Sequence, residues 1–340
     1  MKTHATGLGL VAMLAATPAL ADIQDCIGVA ADAQRLACYD RESGRNTRLA
    51  LAPASERPVE GVAPSPLSER WELDPKHKTG TFQFRYHTPI YFLAAHYSTD
   101  MNDDPYSPTR GYVTSNSREA SGGKIPYDST EVKFQIGFKV KLWENMIGDN
   151  GDLWMGYTQQ SYWQLYNKDF SAPFRETNYA PELINTWRTN LQMGGVKLSM
   201  VNLGLIHQSN GRTEPISRSW NRLYAQAGLE AGDFAILVRP WYRLKEDAET
   251  DDNPDIENFV GRGDLNVIYK YKEQEFALLA RHSLRGGDES RGSLQFDWSF
   301  PIHGNLKGHA QLFTGYGESL IDYNHRQTTF GLGISLAQWM

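Results

Sequence analysis

The chain has 340 residues, with 34 Lys or Arg against 40 Asp or Glu and a formal net charge of −6. That balance argues against a nucleic-acid partner, which calls for a clustered positive surface. Beyond the first residues no window offers the roughly 18 consecutive apolar residues of a membrane-spanning helix. What remains is a soluble fold or a β-barrel, whose alternating strands average out hydropathy and so tolerate a mean of −0.52.

The N-terminus carries Lys2, an apolar run from Leu8 to Ala16 and then Ala19-Leu-Ala21. These features read as a secretory signal over residues 1–21, outside the mature fold. The chain's two cysteines, Cys26 and Cys38, follow directly. Export to an oxidising compartment predicts that they pair, closing a small local unit. Residues 22–49 read as a short helical piece and 50–68, with Pro53, Pro58, Pro64 and Pro66, as a linker. Residues 22–70 are therefore expected to form an N-terminal periplasmic segment and 71–340 the main domain.

From about residue 79 the pattern changes to a two-residue period. It is clearest where Val132, Phe134, Ile136, Phe138, Val140 and Leu142 alternate with Lys133, Gln135, Lys139 and Lys141. Twelve such segments fall near 88–98, 131–143, 152–164, 182–192, 195–208, 219–230, 233–245, 262–272, 274–285, 289–300, 305–317 and 326–339. Many reach about ten residues or more, longer than the 5–6 typical of soluble sheets and long enough to cross a bilayer. Short connections such as Glu230–Asp233 and Ile302–Asn305 alternate with long polar ones. An even strand count with that alternation predicts an all-β fold, a twelve-stranded antiparallel transmembrane β-barrel, with both termini periplasmic and long loops outside. The last segment, Phe330 to Met340, ends the chain inside an amphipathic strand, as outer-membrane assembly signals do. Many of those end in Phe rather than Met.

In Val201-Asn-Leu-Gly-Leu-Ile-His-Gln-Ser209, alternation sets His207 and Ser209 on the face of Val201, Leu203 and Leu205. In the next strand Asn221 shares a face with Leu223, Ala225, Ala227 and Leu229. Polar side chains on a face that meets lipid are costly, and such placements mark function. His and Ser two residues apart on a strand lie ~6.6 Å apart at the backbone and point the same way, as a base and its nucleophile. Asn221 on the adjoining strand is placed to orient the imidazole as a neutral acceptor. Gln159, in phase with Leu153, Met155 and Tyr157, is a further amide on the lipid side. Pairing across a two-fold axis would account for it.

The stretch His207-Gln-Ser-Asn-Gly-Arg-Thr-Glu-Pro-Ile-Ser-Arg-Ser-Trp-Asn-Arg-Leu-Tyr224 resembles the active-site segment of the bacterial outer-membrane phospholipase A family. Tyr157-Thr-Gln159, Pro173-Phe-Arg-Glu-Thr-Asn-Tyr179, Asp251-Asp-Asn-Pro-Asp255 and Gly315-Tyr-Gly-Glu-Ser-Leu-Ile-Asp-Tyr-Asn324 extend the resemblance, which covers about 77–340. It implies a calcium-dependent phospholipase that is active as a homodimer in the bacterial outer membrane. The site would open on the extracellular side and hydrolyse sn-1 and sn-2 acyl esters of glycerophospholipids and lysophospholipids. Ser209 matches the nucleophile, His207 the base, Asn221 the orienting residue and Gly211 the oxyanion-binding N–H. Carbonyls of Arg212 and Ser217 match calcium ligands, and Ser171 matches the ligand given by the partner subunit. Glu214 and Asp252 match the acids of a second calcium position, where the family more usually has Asp in place of Glu214. The alternative is a passive outer-membrane channel lined by Lys133, Lys139, Lys141, Arg222 and Arg243, with segment 99–130 as a constriction.

Overall fold

The computed structural model describes residues 26–42, 65–112, 124–304 and 306–340. The expected leader and most of the proline-rich linker lie outside these residues. The chain divides into two units, whose described residues are 26–42 in the first and 65–340, less the gaps above, in the second. In the first, helix α1 (Asp32–Glu42) carries Cys38, which is joined to Cys26 with Cα atoms 5.6 Å apart. The expected boundary at residue 71 falls inside a second helix, α2 (Pro66–Trp71), which belongs to the larger unit.

That unit is a closed barrel. Its twelve strands are β1 (Ile90–Ser98), β2 (Thr130–Trp143), β3 (Asp152–Trp163), β4 (Phe174–Met193), β5 (Val196–Ser209), β6 (Ser219–Ala231), β7 (Phe234–Leu244), β8 (Gly263–Tyr271), β9 (Gln274–His282), β10 (Gly292–His303), β11 (Leu306–Tyr316) and β12 (Arg326–Ala337). Each pairs antiparallel with the next, and β12 closes on β1 through Thr329 opposite Ser98. Closure leaves no open edge to template aggregation. A short strand, Phe84–Tyr86, continues the line of β1 along β2, with Phe84 opposite Val140. The break falls at Thr88-Pro89, where Pro89 lacks a ladder donor and Gln135 donates its side-chain amide to the Pro89 carbonyl.

Several expected boundaries shift. β4 begins at Phe174, eight residues before the expected 182, because its early inward positions are Arg175, Glu176 and Asn178 rather than apolar. β9 ends at His282 and β10 starts at Gly292, since Ser283–Arg291 folds back on itself with Ser283 Oγ bonded to the Glu289 carbonyl at 2.9 Å.

The outer wall is exposed and apolar, with Leu183, Leu203, Leu205, Leu223, Leu265, Leu278, Leu294, Leu312 and Phe330 among its members. Toward the short-turn end Phe234, Tyr269, Phe276 and Trp298 stack in a row across neighbouring strands. Such a girdle suits the boundary between hydrocarbon and headgroups.

The lumen is polar and filled. Lys133 bonds Glu318 and Gln311 at 2.8 and 2.7 Å, His96 bonds Glu318 at 2.8 Å, and Arg175 joins Glu131 and Asp322. His87 and Tyr224 share Glu182, each at 2.6 Å. Buried charges are costly unless paired in this way, and Lys139, buried without an ion-pair partner among the described residues, lies instead 3.3 Å over the Trp71 ring. Lys133, Lys139 and Lys141, which the alternative channel reading would have lining a pore, are fully buried, and a cavity of about 220 Å³ lies among the lumen side chains.

Helix α2 closes one end of that lumen. Ser65 caps it, accepting from Ser68 N–H at 3.1 Å, with Pro66 at the first turn where no backbone donor is needed. Ser65 Oγ and Leu67 N–H both donate to Glu230, at 2.7 and 3.1 Å. Leu67 and Trp71 pack with Trp154, Ile184, Met200, Leu237 and Ile268. The Arg70 guanidinium donates to the carbonyls of Gln338 and Trp339, tying α2 to the chain's last residues.

Candidate active site on the barrel wall

The hairpin β5–β6 carries the polar residues singled out on the lipid face. Register sets His207 directly opposite Asn221 and Ser209 opposite Ser219. Leu203, Leu205 and Leu223 on the same face are each about half exposed, so His207, Ser209 and Asn221 look outward too. The expected face assignment therefore matches the structure.

His207 Nδ1 lies 2.8 Å from Asn221 Oδ1. An amide oxygen only accepts, so Nδ1 carries the proton and Nε2 is left as the basic nitrogen. The orientation of the Asn221 amide has its own support. Its Nδ2 faces Glu246 Oε1 at 3.4 Å, and turning the amide over would set its oxygen against that carboxylate. Glu246 lies just past the end of β7, where burial, followed by the charge of Asp251, holds its carboxyl above the usual range.

The segment 210–218 is shaped chiefly by Asn210, which is 3% exposed. Its Oδ1 accepts from the N–H groups of Arg212 and Arg218 at 3.3 and 3.0 Å, and its Nδ2 donates to the Ile216 carbonyl at 2.7 Å. Asn253, fully buried, accepts from Ser219 N–H at 2.9 Å and so fixes the start of β6. Neither residue was singled out for a role from the sequence. The Asn210-Gly211 dipeptide is the one local signal, since such pairs mark tight turns.

Gly211 takes φ +62, and a Cβ there would lie 3.2 Å from the Tyr179 ring. A side chain would narrow the space beside Ser209, whose register partner is Tyr179. The carbonyls of Arg212 and Ser217 belong to this segment. Ser171 lies in the separate loop before β4, exposed, at φ +59. The Arg212 guanidinium reaches toward that loop and donates to the Phe174 carbonyl at 2.7 Å. Peptide carbonyls and a serine oxygen are hard and neutral, a donor type that fits calcium. Ser217 O also accepts from Arg218 at 2.7 Å, using one of its two lone pairs.

Glu214 and Asp252 are brought together, but with an arginine between them. Arg110 bonds Asp252 at 2.7 Å and Glu214 at 3.0 Å. Among the described residues no group of three or more His, Cys, Asp or Glu side chains is arranged to hold a metal.

Against known families, residues 67–336 match the Phospholipase A1 model, from within α2 to the end of β12. The chain belongs to the phospholipase A1 family. Among family relatives, phospholipase A1 of Klebsiella pneumoniae is 43% identical over 206 residues, which is 61% of this chain and 70% of that protein. The Escherichia coli K12 phospholipase A1 is 41% identical over 206 residues, 61% of this chain and 69% of its own. The structure of outer membrane phospholipase A from Escherichia coli superposes with a TM-score of 0.69 at 32% identity, covering 82% of this chain and all of that one. A Salmonella typhi outer membrane phospholipase, solved as a dimer with bound calcium, gives 0.69 at 33% identity over 81% of this chain and 98% of its own.

In this phospholipase A1 family member Gln159 is not an isolated amide. Tyr157 O–H donates to its Oε1 at 2.9 Å and its Nε2 donates to Ser161 Oγ at 3.2 Å. The ladder continues to Thr177, which donates to Ser161 at 3.2 Å. Among the described residues, no hydrogen bond takes up the second amide N–H of Gln159.

Proposed function

We propose that this protein is a calcium-dependent phospholipase of the bacterial outer membrane, cleaving sn-1 and sn-2 acyl esters of glycerophospholipids and lysophospholipids. The observation that carries the reading is the 2.8 Å His207–Asn221 bond on an outward, otherwise apolar face, with Ser209 in phase beside it. No requirement of barrel stability explains three polar groups there.

In this reading Nε2 of His207 takes the Ser209 proton as Oγ attacks the ester carbonyl, and then returns it to the leaving alkoxide. Water, activated by the same nitrogen, releases the fatty acid from acyl-Ser209. Asn221 keeps the imidazole in the tautomer that this exchange needs and faces the imidazolium with a dipole rather than a charge. Gly211 N–H donates to the developing oxyanion. Calcium held by Arg212 O, Ser217 O and the partner subunit's Ser171 would supply positive charge at that oxyanion.

Dimerisation follows in the same reading, because a donor set drawn from two chains is complete only when they meet. The Salmonella typhi relative, a dimer with bound calcium, supports it. The apolar wall and aromatic girdle support the membrane setting, and the site would lie at the extracellular end, where an acyl chain can slide in along the wall.

The test is fatty-acid release from phospholipid in detergent micelles by the refolded chain and by Ser209→Ala, each with calcium and with chelator. Release that needs both Ser209 and calcium is expected. Release that survives chelation would remove the calcium assignment, and none from a well-folded barrel would overturn the hydrolase reading.

A further inference from the structure

Among the described residues, three segments at the long-loop end of the barrel meet at Arg110. Its Nε donates to Asp252 Oδ1 at 2.7 Å and its Nη2 lies 3.0 Å from Glu214 Oε1. The Arg110 and Asp252 side chains are 17% and 10% exposed, so this half of the contact is shielded from water, whereas Glu214 is 64% exposed. Arg110 does not hang on Asp252 alone. Ser107 Oγ donates to the Asp252 carbonyl and Thr109 Oγ1 to the Asp251 carbonyl, both at 2.6 Å. Ser107 Oγ also accepts from Arg110 N–H at 3.3 Å. The neighbouring Asp251 is taken up by Arg243 at 2.7 Å. The stretch from Ser107 to Arg110 is thus built against the 251–253 turn, and the guanidinium is aimed from there at the 210–218 segment.

A guanidinium fork is shaped to bond two carboxylate oxygens at once along one edge. A calcium ion between the same acids needs six to eight oxygens at about 2.3–2.6 Å. Here one oxygen of each acid is already bonded, and a fixed positive charge stands in the gap. A dication would meet repulsion where it requires attraction. Glu214 and Asp252 therefore do not fit the second calcium position that the family resemblance assigned to them.

We propose that Arg110 is a positioning residue for the Ser209 site: its guanidinium fills the gap between Glu214 and Asp252 in place of a second calcium and holds segment 210–218 in shape. The positioning half rests on the hydrolase reading, since that segment carries Gly211 and the carbonyls of Arg212 and Ser217. Asn210 shapes the turn, and Arg110 fastens its Glu214 side, a contact that does not wait for calcium.

Calcium is counted by titration calorimetry on the refolded full-length chain in detergent, in a Ser209→Ala background so that turnover does not enter. The parent chain is compared with Arg110→Gln and Arg110→Lys, each checked for the heat-dependent gel shift of a folded barrel. Arg110→Gln is expected to bind one more calcium per chain than its parent, and to lose it again when Asp252→Asn is added. Arg110→Lys, which keeps the charge, should gain none. With Ser209 restored, Arg110→Gln should lower kcat about fivefold at low calcium and recover at high calcium, with KM for lipid unchanged. Two results overturn the proposal: a second calcium on the parent chain that disappears with Asp252→Asn, or an Arg110→Gln chain that binds no more than the parent. The count decides the calcium half even if no variant releases fatty acid, in which case the hydrolase reading fails separately, and an Arg110→Gln enzyme with the parent's kcat at low calcium overturns the positioning half.

Discussion

His207 and Asn221 face one another across β5 and β6 at a register pair, with 2.8 Å between Nδ1 and Oδ1. A carboxylate in that place would hold the imidazole more strongly but would put a full charge on a wall that meets lipid. The amide gives orientation without that charge. Replacing Asn221 with Ala should leave the barrel folded and lower kcat by about 10–100-fold, since in the proposed mechanism an untethered imidazole would still supply part of the general-base effect. Fatty-acid release at saturating lipid is the measurement. A rate within twofold of the parent would mean that Asn221 does not orient His207.

Behind Asn221 stands Glu246, whose carboxylate receives the Asn221 amide at 3.4 Å. That distance is at the long end for a hydrogen bond, so the effect on rate should be modest. Glu246→Ala is expected to cost about 0.5–1 kcal/mol of transition-state stabilisation, a two- to fivefold fall in kcat/KM. The same substitution in an Asn221→Ala background should then change nothing further, because the group it orients is gone. Additive losses in that double-mutant cycle would separate Glu246 from the site.

Gly211 makes a sharper case, because conformation and space agree. At φ +62 an alanine costs ~1–2 kcal/mol, and its Cβ would press on the Tyr179 ring at 3.2 Å. The tyrosine ring can yield slightly, but the backbone N–H that is to face the oxyanion would move with the strain. Gly211→Ala should therefore lower kcat by ten-fold or more, while the ~1–2 kcal/mol of strain lowers the unfolding midpoint by only about 2–8 °C. A large loss of stability at near-normal kcat would reverse that reading.

What the sequence made legible follows from which signals are local. The phase of β5 and β6 was readable because the outward face is apolar and the inward face polar over a dozen residues, so His207, Ser209 and Asn221 stood out as exceptions. The first half of β4 was hidden because Arg175, Glu176 and Asn178 point into a lumen that satisfies them, and no sequence window shows a lumen. Helix α2, at six residues, is too short to show a period, and its burial depends on strands far along the chain. Arg110 is separated from Asp252 by 142 residues and sits in a loop with no periodic pattern, so nothing near it in sequence announces its partner.

At the end of the lumen closed by α2, Glu72 offers a test in which pH gives the sign. It is 1% exposed and caps the helix C-terminus at φ 53. Burial pushes its carboxyl upward, but bonds from Thr79, Lys141 and Arg85 outweigh that and hold it at about 2, against 4.5 for an ordinary Glu. A folded-state value below the unfolded one means that the stabilisation is complete above about pH 4.5 and disappears as pH falls through about 2. Glu72→Gln should cost about 1–3 kcal/mol at pH 7, the range for hydrogen bonds to a charged group and for leaving a partner unpaired. Lys141 keeps Glu144 and Asp152, each at 2.9 Å, which limits the loss. Unfolding midpoints of parent and variant, followed by the heat-dependent gel shift, should differ at pH 7 and converge as the pH falls from about 4.5 toward 2. A gap of constant size across that range would mean that Glu72 stabilises α2 by shape and neutral hydrogen bonding rather than by its charge.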